Sequence, residues 1–430
     1  MGTGVGEVVR NCPQCGAGIR ADARFTAWCA ACDWNVDPVG PAEQRPGRME
    51  KVRRALARRH GESLFAEALA GGTLRPGRDA SLALAHAIAL AVHGVTLALA
   101  ALGGWLVVSH PWGVVGPGFG VLLLALAWVL RPRRARWPTD RPVLGRAEAP
   151  ELFALIDAVA DAVGSRGVDA VALGPQFNAE IGTLGVRRRR VLFVGVPLWE
   201  ATTPQQRIAV LSHELGFHKK GNARHRLPAS AFHTLLVWRG HLLPDGEPSD
   251  WLEVLQNLVC LVPCLFVHGV LVTLRHLTVR DVQRAVYFGD RESARVASTE
   301  AAAQLLGLVL VAGSLTGFLH RETNRAALRG PGAAREAETR SDELWEAFVA
   351  HTASVPEHEY ERCRRVELRR GHSLDLTHPS AALRQELLLR SGPLPAVVVA
   401  DAGRHRLIAA ELAGARRTIG RRILSEGYLK

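Results

Sequence analysis

The segment His213-Glu214-Leu215-Gly216-Phe217-His218 is the most informative part of this 430-residue sequence. It differs by one position from His-Glu-x-x-His, a helical pattern in which two imidazoles share one metal ion and the glutamate activates a metal-bound water. Histidines four residues apart on a helix project within about 40° of each other. Here Phe217 holds the fourth position, and the next histidine, His218, is rotated by about 140° from His213. The segment therefore keeps one imidazole and the glutamate and lacks the second imidazole.

A helix start precedes this segment. Thr203 fits an N-cap, Pro204 the first helical position and Gln206 the third. The helix is predicted to end near Gly221, as a glycine is favoured at a helix end. Its inward-facing apolar residues are Ile208, Val210 and Leu211. The segment around His213 is therefore expected on a helix, as metal chemistry would require.

The residues before this helix predict a small sheet. Apolar residues at helical spacing indicate an amphipathic helix over residues 149–164. Extended segments follow at residues 168–173, 180–186 and 191–194. They predict a small antiparallel sheet in a mainly helical α+β domain. The run Arg187–Arg190 is interpreted as a solvated turn between two strands.

Four of the seven cysteines form two Cys-x-x-Cys pairs, Cys12 with Cys15 and Cys29 with Cys32. Each pair can place two thiolates on one tetrahedral ion, and the two pairs together fill all four ligand positions. We therefore predict a zinc ribbon over residues 1–40 whose zinc is structural and not catalytic. So few cysteines in this arrangement are typical of a reducing compartment and not of a disulfide framework.

Two uncharged apolar stretches, at residues 81–108 and 112–130, are each long enough to cross a bilayer, which needs about 20 helical residues. Lysine and arginine are dense on both outer sides and absent between the stretches. The pattern predicts a transmembrane hairpin over residues 81–130, after a basic linker at residues 41–80, with both ends in the cytoplasm. Contact with the lipid bilayer accounts for the basic charge, so no specific nucleic-acid partner is expected.

A second apolar pair lies at residues 227–243 and 255–274, within an apolar helical region that extends over residues 227–277. The first member is short for a span and contains Arg239, so two and four membrane spans both stay open. The later apolar stretch 301–319 is interpreted as a packed core helix because of its glycine and serine content.

Three further segments are informative beside the His213 helix: Phe177-Asn178-Ala179, Val191–Trp199 and Thr377-His378-Pro379-Ser380. With them, residues 140–390 resemble the HtpX-like membrane metallopeptidases, relatives of the CAAX prenyl proteases, and especially their bacterial members with an N-terminal ribbon. The resemblance implies a gluzincin-like (zincin) domain and a helical extension at residues 391–430. It also implies a multi-pass protein of a bacterial-type cytoplasmic membrane, with ribbon and peptidase-like domain facing the cytoplasm.

In that family, a glutamate four residues before the aspartate of an Ala-Asp pair supplies the third zinc ligand. Here Val286 stands at the glutamate position. Asp290 matches the family's aspartate, which contacts the zinc ligands and not the zinc itself. The resemblance thus implies degenerate ligand positions at Phe217 and Val286, a remnant ligand at His213 and a vestigial general base at Glu214. Because catalytic zinc takes three protein ligands and a water, the sequence favours an inactive centre over a catalytic zinc.

Three functional hypotheses follow. In the first, the protein is an inactive pseudopeptidase that binds a protein or peptide through the retained cleft, for instance by pairing with the strand near Val191. In the second, it is an active zinc metalloendopeptidase of membrane proteins, in which a π-bulge brings His218 to the metal and Asp290, His225 or His378 supplies the third ligand. In the third, the ribbon is an interaction module mounted on the membrane. The sequence predicts neither the partner's identity nor the oligomeric state.

Overall fold

The computed structural model of the chain describes residues 8–22, 24–38, 59, 61–70, 80–109, 112–132, 137–185, 188–221, 226–243, 251–328, 333–370 and 379–428. The chain divides into two compact units. The first unit contains residues 1–74, 136–219 and 285–430, and the second contains residues 75–135 and 220–284.

Within these described residues, the fold is mainly helical with two small sheets. In chain order the strands are β1 (Val8–Asn11), β2 (Gly18–Ala21), β3 (Val143–Leu144), β4 (Ala170–Gly174), β5 (Ala179–Leu184) and β6 (Arg189–Gly195). The helices are α1 (Ala80–Ser109), α2 (Val115–Leu130), α3 (Pro150–Val163), α4 (Val196–Ala201), α5 (Pro204–Gly221), α6 (Arg226–Leu242), α7 (Trp251–Ala297), α8 (Thr299–Leu310), α9 (Ala312–Leu328), α10 (Ala333–Ala353), α11 (Glu357–Arg370), α12 (Ala381–Arg390) and α13 (Ala402–Glu426).

The second sheet of the first unit has the strand order β3-β4-β6-β5. β4 and β6 run parallel, whereas the β3–β4 and β5–β6 pairs are antiparallel. The prediction of an antiparallel sheet is therefore wrong at its central pair. The physical reason is that β6 turns back from β5 and inserts beside β4, and the period of apolar residues within a strand does not specify its neighbours.

The same strand order corrects a second expectation. β6, which contains Val191, is paired on both sides and has no free edge for a peptide. Among the described strands of this sheet, the edges are β3, which has two residues, and β5, which has six. An added strand would therefore pair with β5.

The start of α5 follows the predicted capping box. The Thr203 backbone N–H donates to Oε1 of Gln206 at 2.9 Å, and the Gln206 N–H donates back to Oγ1 of Thr203 at 3.3 Å. Ile208, Val210 and Leu211 are buried, as predicted. This reciprocal cap satisfies two orphan donors and fixes where the helix that carries His213 begins.

The α3 helix receives its N-terminal cap from another part of the chain. Ala149 offers no side-chain cap, and the carboxylate of Glu411 in α13 accepts the N–H groups of Glu151 and Leu152 at 2.8 and 3.0 Å. At its other end, α3 stops at Gly164 in the left-handed conformation (φ 71°). A negative group at the positive end of a helix is favourable, so this contact ties α13 to α3.

The core of the first unit lies between one face of the sheet and the helices α3, α5, α9, α10 and α13. Its largest fully buried side chains include Phe153, Ile156, Leu192, Trp345 and Phe348. Burying each such side chain contributes about 1.5–3 kcal/mol, which makes this core the main source of stability.

The stretch 301–319 forms two helices, α8 and α9, with an angle of 52° between them. The prediction of one helix is wrong because the helical path breaks at Val311. Leu305, Leu315 and Leu319 are buried in the core of the first unit, which fits the predicted packed environment.

The second unit contains α1, α2, α6 and the first part of α7. Among the described residues, two helices are long and apolar enough to cross a membrane, α1 and the part of α7 from Val254 onward, and the bent pair of α8 and α9 in the first unit would be a third if it formed one span. These helices indicate membrane association. α2 has 16 residues, so its length of about 24 Å is below the roughly 30 Å of a hydrocarbon core. A buried cluster joins α1 to α6 and α7 through Ala89, Leu235 and Leu271, among others.

α1 and α2 pack closely at two glycines. A Cβ atom on Gly103 would lie 2.8 Å from the Gly120 carbonyl oxygen, and one on Gly120 would lie 2.7 Å from that of Gly103. At the end of α2, the Leu130 carbonyl accepts bonds from Nε1 of Trp238 at 2.8 Å and from Oγ1 of Thr96 at 3.3 Å. Small residues that let helix backbones approach are typical of helix packing in membranes.

Candidate functional site

The helices α5 and α7 meet at His213. Its Nδ1 atom lies 3.0 Å from Oδ1 of Asp290, and its Nε2 atom lies 4.0 Å from Oε1 of Glu214. The three side chains are 12 %, 13 % and 3 % exposed for His213, Glu214 and Asp290, so the cluster is largely closed to solvent. The predicted histidine, glutamate and aspartate thus lie together, with the imidazole oriented by the Asp290 carboxylate.

Two glycines allow this approach. A Cβ atom on Gly289 would lie 2.9 Å from both Nδ1 and the carbonyl oxygen of His213. A Cβ atom on Gly216 would lie 2.9 Å from Cβ of Glu292 and 3.4 Å from Cα of Gly289. Any larger residue at these positions would push α5 and α7 apart, so the two glycines set the distance between the helices.

Arg384, on α12, completes the cluster and was not singled out by the sequence. Its guanidinium donates to both oxygens of Asp290 at 2.8 and 2.7 Å, and both side chains are buried. Burial by itself would raise the pKa of Asp290, but the charge and hydrogen bonds of Arg384, with a further contribution from His213, hold that pKa well below its usual range. Asp290 is therefore ionised at neutral pH and joins three helices.

Glu214 has an unusual proton affinity for a carboxyl group. Burial raises its pKa to about 7, with a smaller increase from the negative charge of Glu180. His213, Arg384 and the backbone N–H of Ile181 act in the opposite direction and offset part of this effect. Near neutral pH the Glu214 side chain is therefore present both as the acid and as the carboxylate. Such a group can act as a general base only if a reactive water is bound beside it.

The remaining positions of the anticipated zinc centre hold no recorded ligand. Val286 is fully buried, and the ring of Phe217 packs edge-on against His218 with centroids 5.1 Å apart. α5 is α-helical through residues 213–218, without the π turn that the second hypothesis requires. Of its three proposed third ligands, Asp290 is described and binds Arg384, whereas His225 and His378 lie outside the described residues.

The first unit also contains an open cleft at the start of β5. It has a volume of about 260 Å³, and its walls include Arg141, Gln176, Asn178, Glu180 and Phe193. Glu180 is one residue before Ile181, whose backbone N–H faces the Glu214 carboxyl group. The cleft and the outer edge of β5 therefore lie beside the Glu214 carboxyl group.

The four predicted cysteines come together in the ribbon. Sγ of Cys12 lies 3.6 Å from that of Cys32, Sγ of Cys15 lies 3.5 Å from that of Cys29, and all four atoms lie within 4.8 Å of one another. Within the described ranges, this is the one group of three or more histidine, cysteine or acidic side chains placed to share a metal ion. Sulfurs around one tetrahedral ion are about 3.8 Å apart, so the residues fit such an ion.

The ribbon docks on α11 through a set of contacts that the sequence did not reveal. Asp33, which follows the last cysteine, accepts bonds from Arg365 and Arg369, each at 2.6 Å. Arg365 also covers the ring of Trp28 at 5.1 Å, and Arg362 donates to the Val36 carbonyl at 3.0 Å. The only signal in the sequence is the spacing of these arginines at one face of a helix, which does not name a partner.

A second contact joins the ribbon to α9 and α10. The ring of His351 stacks on Phe318 at 4.8 Å and on Phe25 of the ribbon at 6.1 Å. Beside it, Nη1 of Arg24 donates to Oγ of Ser354 at 2.8 Å. The ribbon is therefore held against the helical part of its own unit by aromatic, cationic and acidic side chains together.

Comparison with known proteins adds no relative to this description. No family model, no curated protein and no solved structure matches the chain.

Proposed function

We propose that this chain is a membrane-anchored metallopeptidase homologue that has lost its catalytic zinc and acts by binding a protein or peptide. The observation that carries the proposal is that some residues of a zinc-peptidase centre are present and in contact, whereas two of its ligand positions hold apolar side chains. His213, Glu214 and Asp290 lie together with Arg384, while the two positions that would complete a zinc centre are Phe217 and Val286.

The chemistry of the remaining side chains supports loss of catalysis. A catalytic zinc ion takes three protein ligands and leaves a position for water, and His213 alone cannot provide this. Without the ion, nothing lowers the pKa of a bound water toward neutrality. Glu214 then has no activated water to deprotonate, so the cluster supports a structural role for the acid and the imidazole.

The edge of β5 supports a binding role. The Gly195 N–H donates to the Asn178 carbonyl at 2.8 Å, which sets the alternation of hydrogen bonds between β5 and β6. By that alternation, Ala179, Ile181 and Thr183 direct their backbone groups away from β6. The Ile181 N–H already meets the Glu214 carboxyl group, so an extended peptide would pair as a strand with the remaining outward groups, those of Ala179 and Thr183 among them, with its side chains beside the 260 Å³ cleft.

The ribbon and the apolar helices complete the proposed picture of a zinc-containing membrane protein. Four cysteine thiolates favour zinc over harder ions, so Cys12, Cys15, Cys29 and Cys32 are assigned a structural zinc. The absence of Lys and Arg between residues 109 and 130 and their density outside favour a bacterial-type cytoplasmic membrane protein whose ribbon and peptidase-like domain face the cytoplasm.

Zinc stoichiometry of the purified full chain tests this function. We expect one zinc ion per chain, an unchanged zinc content in His213→Ala, and loss of zinc in Cys29→Ser. Two zinc ions per chain, or peptide cleavage that disappears in Glu214→Gln, would show that the centre is an active metallopeptidase after all. Peptide binding that survives His213→Ala and is lost when Thr183 is replaced by proline would support the β5 edge, because proline lacks the backbone donor.

A further inference from the structure

The turn between β5 and β6 carries an exposed cationic patch beside a tryptophan. Arg188 and Arg189 are both exposed, and the guanidinium of Arg189 lies 5.9 Å from the ring centroid of Trp137, which is itself 37 % exposed. We refer to Trp137, Arg188 and Arg189 as the hairpin patch. Its three side chains combine positive charge with a flat amphipathic ring, two properties that proteins use at membrane surfaces.

The neighbouring acidic group does not neutralise this patch. Asp169 accepts the Arg190 N–H at 2.7 Å and a bond from Nη2 of Arg166 at 3.0 Å, so its carboxylate is already engaged at the base of the hairpin. Within the part of the chain that the structure describes, no ion pair is recorded for Arg188 or Arg189. Their charge is therefore available to a group outside the protein.

The covalent path connects the patch to the end of a membrane-associated helix. Trp137 follows Leu130, the last residue of α2, by seven residues. At that end, the guanidinium of Arg131 lies 3.4 Å from the ring centroid of Trp128. Paired tryptophan and arginine side chains are typical of the boundary between hydrocarbon and headgroups. Seven residues of chain span at most about 25 Å, so in the sequence the patch begins directly after an apolar helix.

We propose that the hairpin patch rests on anionic phospholipid headgroups, with Arg188 and Arg189 on phosphate groups and the Trp137 ring in the interface. The turn between β5 and β6 is then a contact with the bilayer and not a solvated loop. The contact would hold the end of β5 that leads into this turn against the membrane surface. This inference stands independently of whether the His213 cluster is active.

Hydrogen exchange of the full chain in lipid nanodiscs tests the contact. One preparation contains phosphatidylcholine alone, and the other an equal mixture of phosphatidylcholine and phosphatidylglycerol. We expect amides at the tip of the hairpin to exchange more slowly in the anionic nanodiscs, by up to about thirtyfold, since each arginine near an anionic surface contributes about a factor of five. The double variant Arg188→Ser/Arg189→Ser is expected to lose this difference.

The matched control is Arg406→Ser/Arg417→Ser, which removes two exposed arginines of α13 and the same net charge. It should keep the lipid-dependent protection of the hairpin. Equal exchange in the two nanodiscs, or equal loss of protection in both double variants, would overturn the proposal. Protection by added single-stranded RNA in phosphatidylcholine nanodiscs, without any effect of phosphatidylglycerol, would overturn it in favour of nucleic-acid binding.

Discussion

The Nδ1 atom of His213 lies 3.0 Å from Oδ1 of Asp290, although among the described residues neither side chain belongs to a group placed to share a metal ion. The carboxylate is in turn held by two bonds from Arg384. A histidine that binds a metal is usually oriented in this way by a carboxylate on its second nitrogen. In this chain the Asp290 carboxylate also has a structural role, because it forms a buried ion pair with Arg384 of another helix.

Replacing Asp290 tests that structural role. Asp290→Asn removes the negative charge and leaves the buried Arg384 guanidinium without a counter-ion. We expect the free energy of unfolding to fall by about 3–5 kcal/mol, the usual cost of breaking a buried pair from one side. The change is measured as a shift in the unfolding midpoint of the detergent-solubilised protein.

A double-mutant cycle provides the control. Arg384→Met alone leaves the Asp290 carboxylate unpaired, and Asp290→Asn/Arg384→Met removes both charges. The double variant should be more stable than the sum of the single losses predicts. Strict additivity would mean that the two side chains do not stabilise the fold as a pair.

Gly289→Ala tests the close approach of α5 and α7. Its Cβ atom would lie 2.9 Å from the His213 ring and backbone, so we expect a loss of about 1–3 kcal/mol. Gly414→Ala is the matched control, since this helical glycine has nothing within 4 Å of an added Cβ. It should gain roughly 0.5–1 kcal/mol. The same sign for both variants in chemical denaturation would contradict the crossing described here.

Adjacent glycines offer a similar test in the second unit. Gly103→Ala would place Cβ 2.8 Å from the Gly120 carbonyl oxygen, whereas Gly104→Ala meets nothing within 4 Å. We expect the first variant to lower the thermal unfolding midpoint, with a loss of about 1–3 kcal/mol, and the second to leave it unchanged or higher. If Gly104→Ala is the more damaging change, α1 and α2 do not pack through Gly103.

Removal of the ribbon metal should loosen α11. Four-cysteine ribbons depend on their metal for folding, and Asp33, which directly follows Cys32, binds Arg365 and Arg369. Chelation should therefore speed hydrogen exchange in residues 357–370 by up to roughly tenfold, as expected for two partly exposed ion pairs. Exchange in residues 150–163 of α3 should not change. Asp33→Asn should reproduce part of the effect without loss of metal.

Acidification should weaken the contact of the ribbon with α10. Burial lowers the pKa of His351, with further decreases from the charges of Arg321 and Arg24 and an increase from Asp22. Because the folded pKa of His351 lies below the unfolded value of about 6.5, the stabilising contribution is complete above the unfolded value and is lost as the pH falls from there through the folded pKa. Thermal unfolding between about pH 7.5 and about pH 5.5 measures the effect.

His351→Phe is the matching variant, since it keeps an aromatic ring for Phe318 and cannot take up a proton. Its stability should fall less over this pH range than that of the unchanged protein. A pH dependence identical in the two proteins would place the titrating group elsewhere.

Much of the local structure could be predicted from neighbouring residues. The capping box of Thr203 and Gln206 fixed the start of α5, and the cysteine spacing predicted a metal-binding ribbon, because each depends on contacts within a few residues. The apolar stretch of α1 likewise predicted a membrane helix from composition alone. Strand partners could not be predicted, and the central pair of the sheet is parallel.

By itself, the sequence determined that His213 and Glu214 lie on a helix, that four cysteines can share an ion, and that the chain contains helices apolar enough to cross a membrane. The tertiary structure alone decided that Arg384 binds Asp290, that the ribbon rests on α11, and that β5 holds the edge of the sheet. The physical reason is distance along the chain. Caps, turns and helical periods join residues a few positions apart, whereas Arg384 and Asp290 are 94 residues apart and meet only when α7 and α12 pack.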